Sequence, residues 1–204
     1  MALNAKALSA IMIGQMGSQG ILGTAMPGFC DALSEGIVTG FLSQNQVTTI
    51  DTGLLPAGVP GAGTGKMAGI VGSAMFGVTM PLVASGGFLG TKSTGLIKAV
   101  TESLAIHFTS ANIASTKHPT VAIGAGVGKV LGLSGSGIAS IAVGLMASKG
   151  ISGPNMPGLV KAICEGFALN VMATGIVSVS IVGAPLVTPA GTIPSAGSGT
   201  GKIT

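Results

Sequence analysis

Apolar and polar positions along this chain predict both helices and strands. Helical spacing is clearest after Pro157–Gly158, where four apolar side chains fall on one face: Leu159, Ile163, Phe167 and Val171. Apolar residues four apart predict an amphipathic helix, and a proline suits its first turn. Residues 176–182, Ile-Val-Ser-Val-Ser-Ile-Val, alternate cleanly between apolar and polar, which predicts a strand. The pattern indicates an α+β fold.

The same pattern occurs three times. The segment Ser-Gln-Gly-Ile-Leu-Gly at 18–23 returns in similar form at 85–90 and 148–153, at offsets of 67 and 63 residues. We predict three tandem helix-turn-helix-strand repeats of about 65 residues, at 1–66, 67–129 and 130–204, in a pseudo-threefold arrangement. The recurring residues are six turn glycines, three glutamates and three lysines: Gly20, Gly23, Gly87, Gly90, Gly150, Gly153, Glu35, Glu102, Glu165, Lys66, Lys129 and Lys202.

Each unit has further predicted features. Its opening helix is apolar nearly all round, as at 67–76, which is typical of a buried helix, and Pro81 is expected to break or kink the second copy. The second helix starts near 27–28, 94–95 and 157–158, and strands are expected at 47–50, 120–123 and 176–182. Three strands could meet around a pseudo-threefold axis, or each could add to the sheet edge of a neighbouring subunit.

Composition then narrows the protein class. Only 7% of the 204 residues are charged, where about 25% is usual, although a folded monomer of this mass exposes roughly 8,500 Å². Much of the surface is therefore expected to be hidden in lipid or against other subunits. The 36 glycines suit close packing of backbones. The nine lysines are scattered and there is no arginine, so we expect no nucleic-acid binding.

Candidate chemistry is sparse. Gly-x-Gly-Lys fails the phosphate-loop pattern in all three copies, because no glycine stands six positions before the lysine and no Ser or Thr follows it. We interpret it as a tight turn that ends in a solvated lysine. Ser-x-Gly-x-x-Gly is interpreted as the turn between two helices, since it does not follow a strand as a dinucleotide fingerprint would. No cofactor is expected.

The titratable residues also favour structural roles. The three glutamates could surround an axis, face a lumen or bind a cation together with the repeat-end lysines, but a polar helix face is the favoured interpretation. Cys30 and Cys164 align with apolar or small residues in the other copies, so they are interpreted as packing residues. His107 lies late in a helix and His118 precedes Pro119, and neither stands at metal-ligand spacing. No catalytic residue or metal site is predicted.

The whole chain resembles, in style, the small Gly/Ala-rich structural proteins of tailed-bacteriophage virions, with extended ends such as the Gly/Pro/Thr-rich run at 188–197. The resemblance implies a non-enzymatic tail, neck or capsid-decorating protein. It would form homo-oligomers, contact other virion proteins or dock on a symmetric partner. Residues 6–13 could pass for a signal peptide but align with internal segments, so we expect no cleaved signal and synthesis in a host cytoplasm.

The alternative is a small membrane-embedded pore or proteolipid-like subunit. Segments 7–30 and 67–91 carry no charge and are long enough to span a bilayer, which takes about 20 apolar residues. Gly69, Ser73 and Gly77 stand at small-xxx-small spacing. Against this, the chain has no Trp or Tyr for the bilayer interfaces and no lysine cluster to set an orientation.

Overall fold

The computed structural model describes residues 3–21, 23–52, 62–90, 92–116, 123–183, 186–188, 191–193 and 197–204. The helices in this part are α1 Ala5–Ser18, α2 Met26–Gln44, α3 Gly72–Ser85, α4 Ser93–Ser110, α5 Gly135–Ser148 and α6 Met156–Thr174. The strands are β1 Gln46–Thr52, β2 Ala62–Ala68, β3 Asn112–Thr116, β4 Ile123–Leu131, β5 Val177–Gly183, β6 Leu186–Thr188, β7 Gly191–Ile193 and β8 Gly197–Ile203. The α+β class is confirmed.

The six helices form a closed ring. Each packs against the helix before and after it, and α6 packs against α1, so the ring closes within one chain. Local signals start the helices where expected: Asn4 Oδ1 accepts a hydrogen bond from Lys6 N at 2.8 Å, and prolines stand in the first turns of α2 and α6. A side-chain acceptor satisfies an otherwise unpaired N–H, and proline has no N–H to lose.

The second helices of the three pairs, α2, α4 and α6, meet at the centre of the ring. Phe41, Phe108 and Phe167 are fully buried, and their ring centroids lie 4.9 to 5.6 Å apart. Tilted and edge-to-face aromatic pairs add to the stabilisation from area burial alone. The centre of the ring is therefore filled by side chains.

Six strands form a closed antiparallel barrel in the order β1-β2-β3-β4-β5-β8, and β6 and β7 form a separate pair. Closure comes from β8, which pairs with both β5 and β1; Thr48 is opposite Lys66 on one side and Thr200 on the other. Each of the six strands has two neighbours, so these strands offer no edge to another subunit. For them the sheet-addition alternative is wrong.

The Gly-x-Gly-Lys segments lie within strands β2, β4 and β8, so their interpretation as tight turns is wrong. In β4, Gly126 and Gly128 are buried while Val127 and Lys129 are exposed. The glycines therefore line the barrel interior. A Cβ on Gly65 would collide with the Thr48 carbonyl oxygen and the Thr49 side chain. Barrel width grows with strand number, and about eight strands leave just enough room for side chains, so six strands require glycine here.

Several predicted boundaries also need correction. The strand after α4 is β3 at 112–116. Of the strand predicted at 120–123, residues 120–122 lie outside the described residues and Ile123 is the first residue of β4. Helix α3 starts at Gly72 because Met67 belongs to β2, and it continues past Pro81 to Ser85. The boundaries at 66/67 and 129/130 fall inside β2 and β4. Each helix pair is followed by at least two strands, where the sequence pattern predicted one. The pseudo-threefold arrangement of the repeats stays a prediction.

Candidate functional site on the helix ring

The turns between paired helices contain the predicted glycines. Gly20, Gly87 and Gly150 have φ of 70°, 76° and 68°, a left-handed conformation that costs other residues roughly 1–2 kcal/mol. The residue that follows each turn glycine, Ile21, Phe88 or Ile151, packs on a glycine of another helix pair. A Cβ on Gly28 would lie 2.7 Å from Phe88 Cζ. Ile151 covers Gly95 and Ile21 covers Gly158 in the same way, so the three turns hold one another in a cycle.

A cavity of about 710 Å³ lies between the starts of α2, α4 and α6. Its apolar lining is Met26, Phe29, Phe88, Leu96, Met156 and Leu159. Gly23 and Gly90 also line it, and a Cβ on Gly153 would lie 3.5 Å from Met156 Cγ. Among the described lining residues Lys92 is the one charged side chain, and its Nζ donates to the Ser152 carbonyl at 2.9 Å. The cavity can hold apolar groups but offers no acid or base pair.

The three glutamates lie on the surface of the second helices. Glu102 Oε2 is 3.1 Å from Lys149 Nζ, and its Oε1 is 3.8 Å from Lys98 Nζ. Glu165 Oε1 is 3.8 Å from Lys161 Nζ. Glu35 is exposed. In the first helix pair, Asp31 of α2 stands at the position that corresponds to Lys98, and it accepts a hydrogen bond from Ser9 Oγ at 2.5 Å. Partly exposed ion pairs of this kind contribute roughly 0–1 kcal/mol each.

Lys66, Lys129 and Lys202 lie elsewhere, on the outer face of the barrel, where all three are exposed. The ion pairs of Glu102 and Glu165 are made with other lysines, so the structure does not bring the repeat-end lysines to the glutamates. No group of three His, Cys, Asp or Glu side chains suited to a metal ion occurs among the described residues. His118 lies outside them.

Both cysteines are buried and free. Burial, with a smaller contribution from Asp31, raises the pKa of Cys30 from 9.0 to about 11. Burial raises the pKa of Cys164 to about 12; Glu165 acts in the same direction and a Ser103 hydrogen bond opposes it. The thiolate is the nucleophilic form, so these thiols are poorly reactive at neutral pH.

Three hydrogen bonds that the sequence did not reveal join each second helix to the start of the next helix pair. Gln44 Oε1 accepts from Val71 N at 3.0 Å. His107 Nε2 accepts from Ser134 N at 3.1 Å. Asn170 Nδ2 donates to the Asn4 carbonyl at 3.2 Å. Asn4, Val71 and Ser134 are the N-cap residues of α1, α3 and α5. We call these three bonds the cap latches.

The outer faces of α1, α3 and α5 form a second feature, which the sequence pattern revealed only on α3, in the small-xxx-small spacing of Ser73 and Gly77. On each helix, exposed residues recur every four positions, and we call these sets the outer rows. They are Lys6, Ala10, Gly14 and Ser18 on α1; Ser73, Gly77, Pro81 and Ser85 on α3; and Ser136, Ser140, Gly144 and Ser148 on α5. Apart from Lys6 they are uncharged and small. A Cβ on Gly14, Gly77 or Gly144 would meet nothing within 4 Å.

Within the described part of the chain one helix, Met156–Thr174, is long and apolar enough to cross a membrane, but half of its apolar stretch is buried inside the fold, as in the core helix of many proteins. Neither uncharged segment is one long helix: 7–30 contains the part of α1 up to Ser18 and the start of α2, and 67–91 contains the 14-residue helix α3. No family model, no curated protein and no solved structure matches the chain.

Proposed function

We propose that this chain is a non-enzymatic structural protein that self-assembles through the outer rows of α1, α3 and α5. The observation that carries the proposal is the exposed glycine in the middle of these helices. Glycine in a helix interior costs roughly 0.5–1 kcal/mol relative to alanine, and no described residue lies within 4 Å of a Cβ on Gly14, Gly77 or Gly144. Close approach of another backbone from outside the chain is a physical reason to keep glycine there.

The surroundings of the outer rows support an interface. Partly buried apolar side chains lie beside them, including Ile13, Met80, Val143 and Leu145. Helices α3 and α5 carry no charged residue at all. Depletion of charge is typical of the buried centre of a protein–protein interface. Three such faces around one ring would allow a chain to contact several copies of itself.

Other features of the structure agree with a role without catalysis. Asp31 and Glu35 are exposed, Glu102 and Glu165 are partly exposed, and burial keeps both thiols protonated. The resemblance to virion proteins suggests the tailed-bacteriophage virion as the setting. Lipid could also cover uncharged helices, but α1 and α3 have 14 residues each, about 21 Å at 1.5 Å per residue, whereas the hydrocarbon core is about 30 Å thick. Length therefore favours protein over lipid as the covering.

Sedimentation velocity without detergent tests the proposal. Wild type is expected to sediment as a species larger than the 19.5 kDa chain. A triple variant, Ala10→Lys, Gly77→Lys and Ser140→Lys, places one charge on each outer row and is expected to sediment as a monomer. The matched control, Thr39→Lys, Thr109→Lys and Ala173→Lys, adds the same charge at exposed positions of α2, α4 and α6 and should stay assembled.

Circular dichroism of both variants verifies that the helices are retained. A wild type that is monomeric without detergent would contradict the proposal, as would a row variant that assembles like the control. Recovery of the wild type only in detergent would favour the membrane alternative.

A further inference from the structure

We propose that His107 is a pH-sensitive latch that loosens the joint between α4 and α5 on acidification. This inference is independent of the proposed assembly. Of the three cap latches, those of Gln44 and Asn170 use side chains that do not titrate, whereas the joint between α4 and α5 depends on an imidazole. Histidine is the side chain whose charge ordinarily changes between pH 5 and 8.

The geometry fixes which protonation state holds the latch. His107 Nε2 accepts a hydrogen bond from Ser134 N at 3.1 Å, and a backbone N–H can only donate. The ring must therefore be neutral, with its proton on Nδ1. Protonation of Nε2 would bring two donors together and break the bond. Acid is expected to weaken this joint.

The partner of His107 is part of a helix start. Ser134 is the N-cap of α5, and its Oγ accepts a hydrogen bond from Gly137 N at 3.0 Å. The ring also packs there, since a Cβ on Gly137 would lie 3.2 Å from His107 Cε1. Loss of the latch would therefore loosen the first turn of α5 and its contact with the end of α4.

Two helix ends act on a charged His107 in opposite directions. The residue lies in the last turn of α4, where the helix dipole favours a cation, but it faces the N-terminus of α5, where the dipole disfavours one.

Among the described residues, the charged side chains on the elements packed around His107 are few, and most of them pair with one another. The packed helices α3 and α5 contain none. Helix α4 itself carries Glu102, which is paired with Lys98 and Lys149. The charged residues of the other adjoining elements are Lys66 on β2, Lys129 on β4, and Lys161 and Glu165 on α6, which pair with each other.

Amide hydrogen exchange at pH 7.5 and 5.0, corrected for intrinsic rates, tests the latch. Protection of the Ser134 amide is expected to fall roughly fivefold at the lower pH, the size expected for one partly exposed hydrogen bond. The Val71 amide, held by the uncharged Gln44, is the internal control and should keep its protection. Equal changes at both amides, or higher protection of Ser134 in acid, would overturn the proposal.

Two variants separate this latch from other pH effects. His107→Gln places an uncharged acceptor near the position of Nε2 and should remove the pH dependence at Ser134. His118→Gln, which replaces the other histidine, should leave it unchanged. If His107→Gln does not fold, the ¹⁵N shifts of the wild-type imidazole decide, because the latch requires the proton on Nδ1 at pH 7.5; a proton on Nε2 would contradict it.

Discussion

Helical glycines in two regions of this molecule have opposite surroundings. Where helices pack inside the ring, glycine is required by contact: a Cβ on Gly36 would lie 2.5 Å from Thr79 Cα, and one on Gly72 would lie 2.6 Å from Glu102 Cα. On the outer rows, Gly14 and Gly144 have open space around them. The first set explains how the ring closes. The second set makes no close contact with the described part of the chain, which is why we assign it to contacts between chains.

The largest effect is expected from a substitution of a glycine that packs inside the ring. Gly36→Ala should lower the free energy of unfolding by about 3 kcal/mol, because overpacking against the backbone of α3 forces the helices apart. Gly144→Ala, at an outer row, should raise the stability of the isolated chain by about 0.7 kcal/mol through helix propensity. Urea denaturation at a concentration where the chain is monomeric measures both. Equal destabilisation by the two alanines would contradict the distinction.

A second pair of glycines, in the turn between α1 and α2, distinguishes the effect of a positive φ from the effect of limited space. A Cβ on Gly20 or on Gly23 would meet nothing within 4 Å, but only Gly20 of the two has a positive φ. Gly20→Ala is expected to cost about 1.5 kcal/mol because alanine is strained in the left-handed region. Gly23→Ala should cost much less. Thermal unfolding of the two variants gives the difference, and similar midpoints would mean that the turn conformation contributes little.

The helix pairs were predictable from sequence because their signals are local. Starts predicted near 27, 94 and 157 lie within two residues of Met26, Ser93 and Met156. The barrel was not predictable from sequence, because glycine usually weakens a strand. Glycines at 124, 126 and 128 are typical of a loop, and they favour a strand only where six strands close into a narrow barrel. The cap latches were not predictable either: Asn170 and Asn4 are 166 residues apart, and no local pattern joins them.

A pH-dependent effect extends the contrast between inside and outside to the thiols. The pKa of Cys30 is raised to about 11 and that of Cys164 to about 12 from an ordinary 9.0, so as pH rises above 9.0 the thiols ionise first in the unfolded chain. Linkage then lowers stability with rising pH. At pH 9.5 the loss is about 0.8 kcal/mol for each thiol relative to neutral pH. It should continue to grow until the folded-state pKa values are reached.

Denaturant titrations at pH 7.5 and 9.5 measure this loss, and the variant with Cys30→Ala and Cys164→Ala is the control. The variant is less stable at both pH values because two small cavities replace the sulfur atoms. Its decrease between the two pH values should nevertheless be smaller than that of wild type by the contribution of both thiols. The lysines of this chain titrate in the same range but are shared by the two proteins, so the difference isolates the cysteines. Identical pH dependence would mean that the buried sulfur atoms reach solvent in the folded chain, and that the second helices open far more readily than their packing implies.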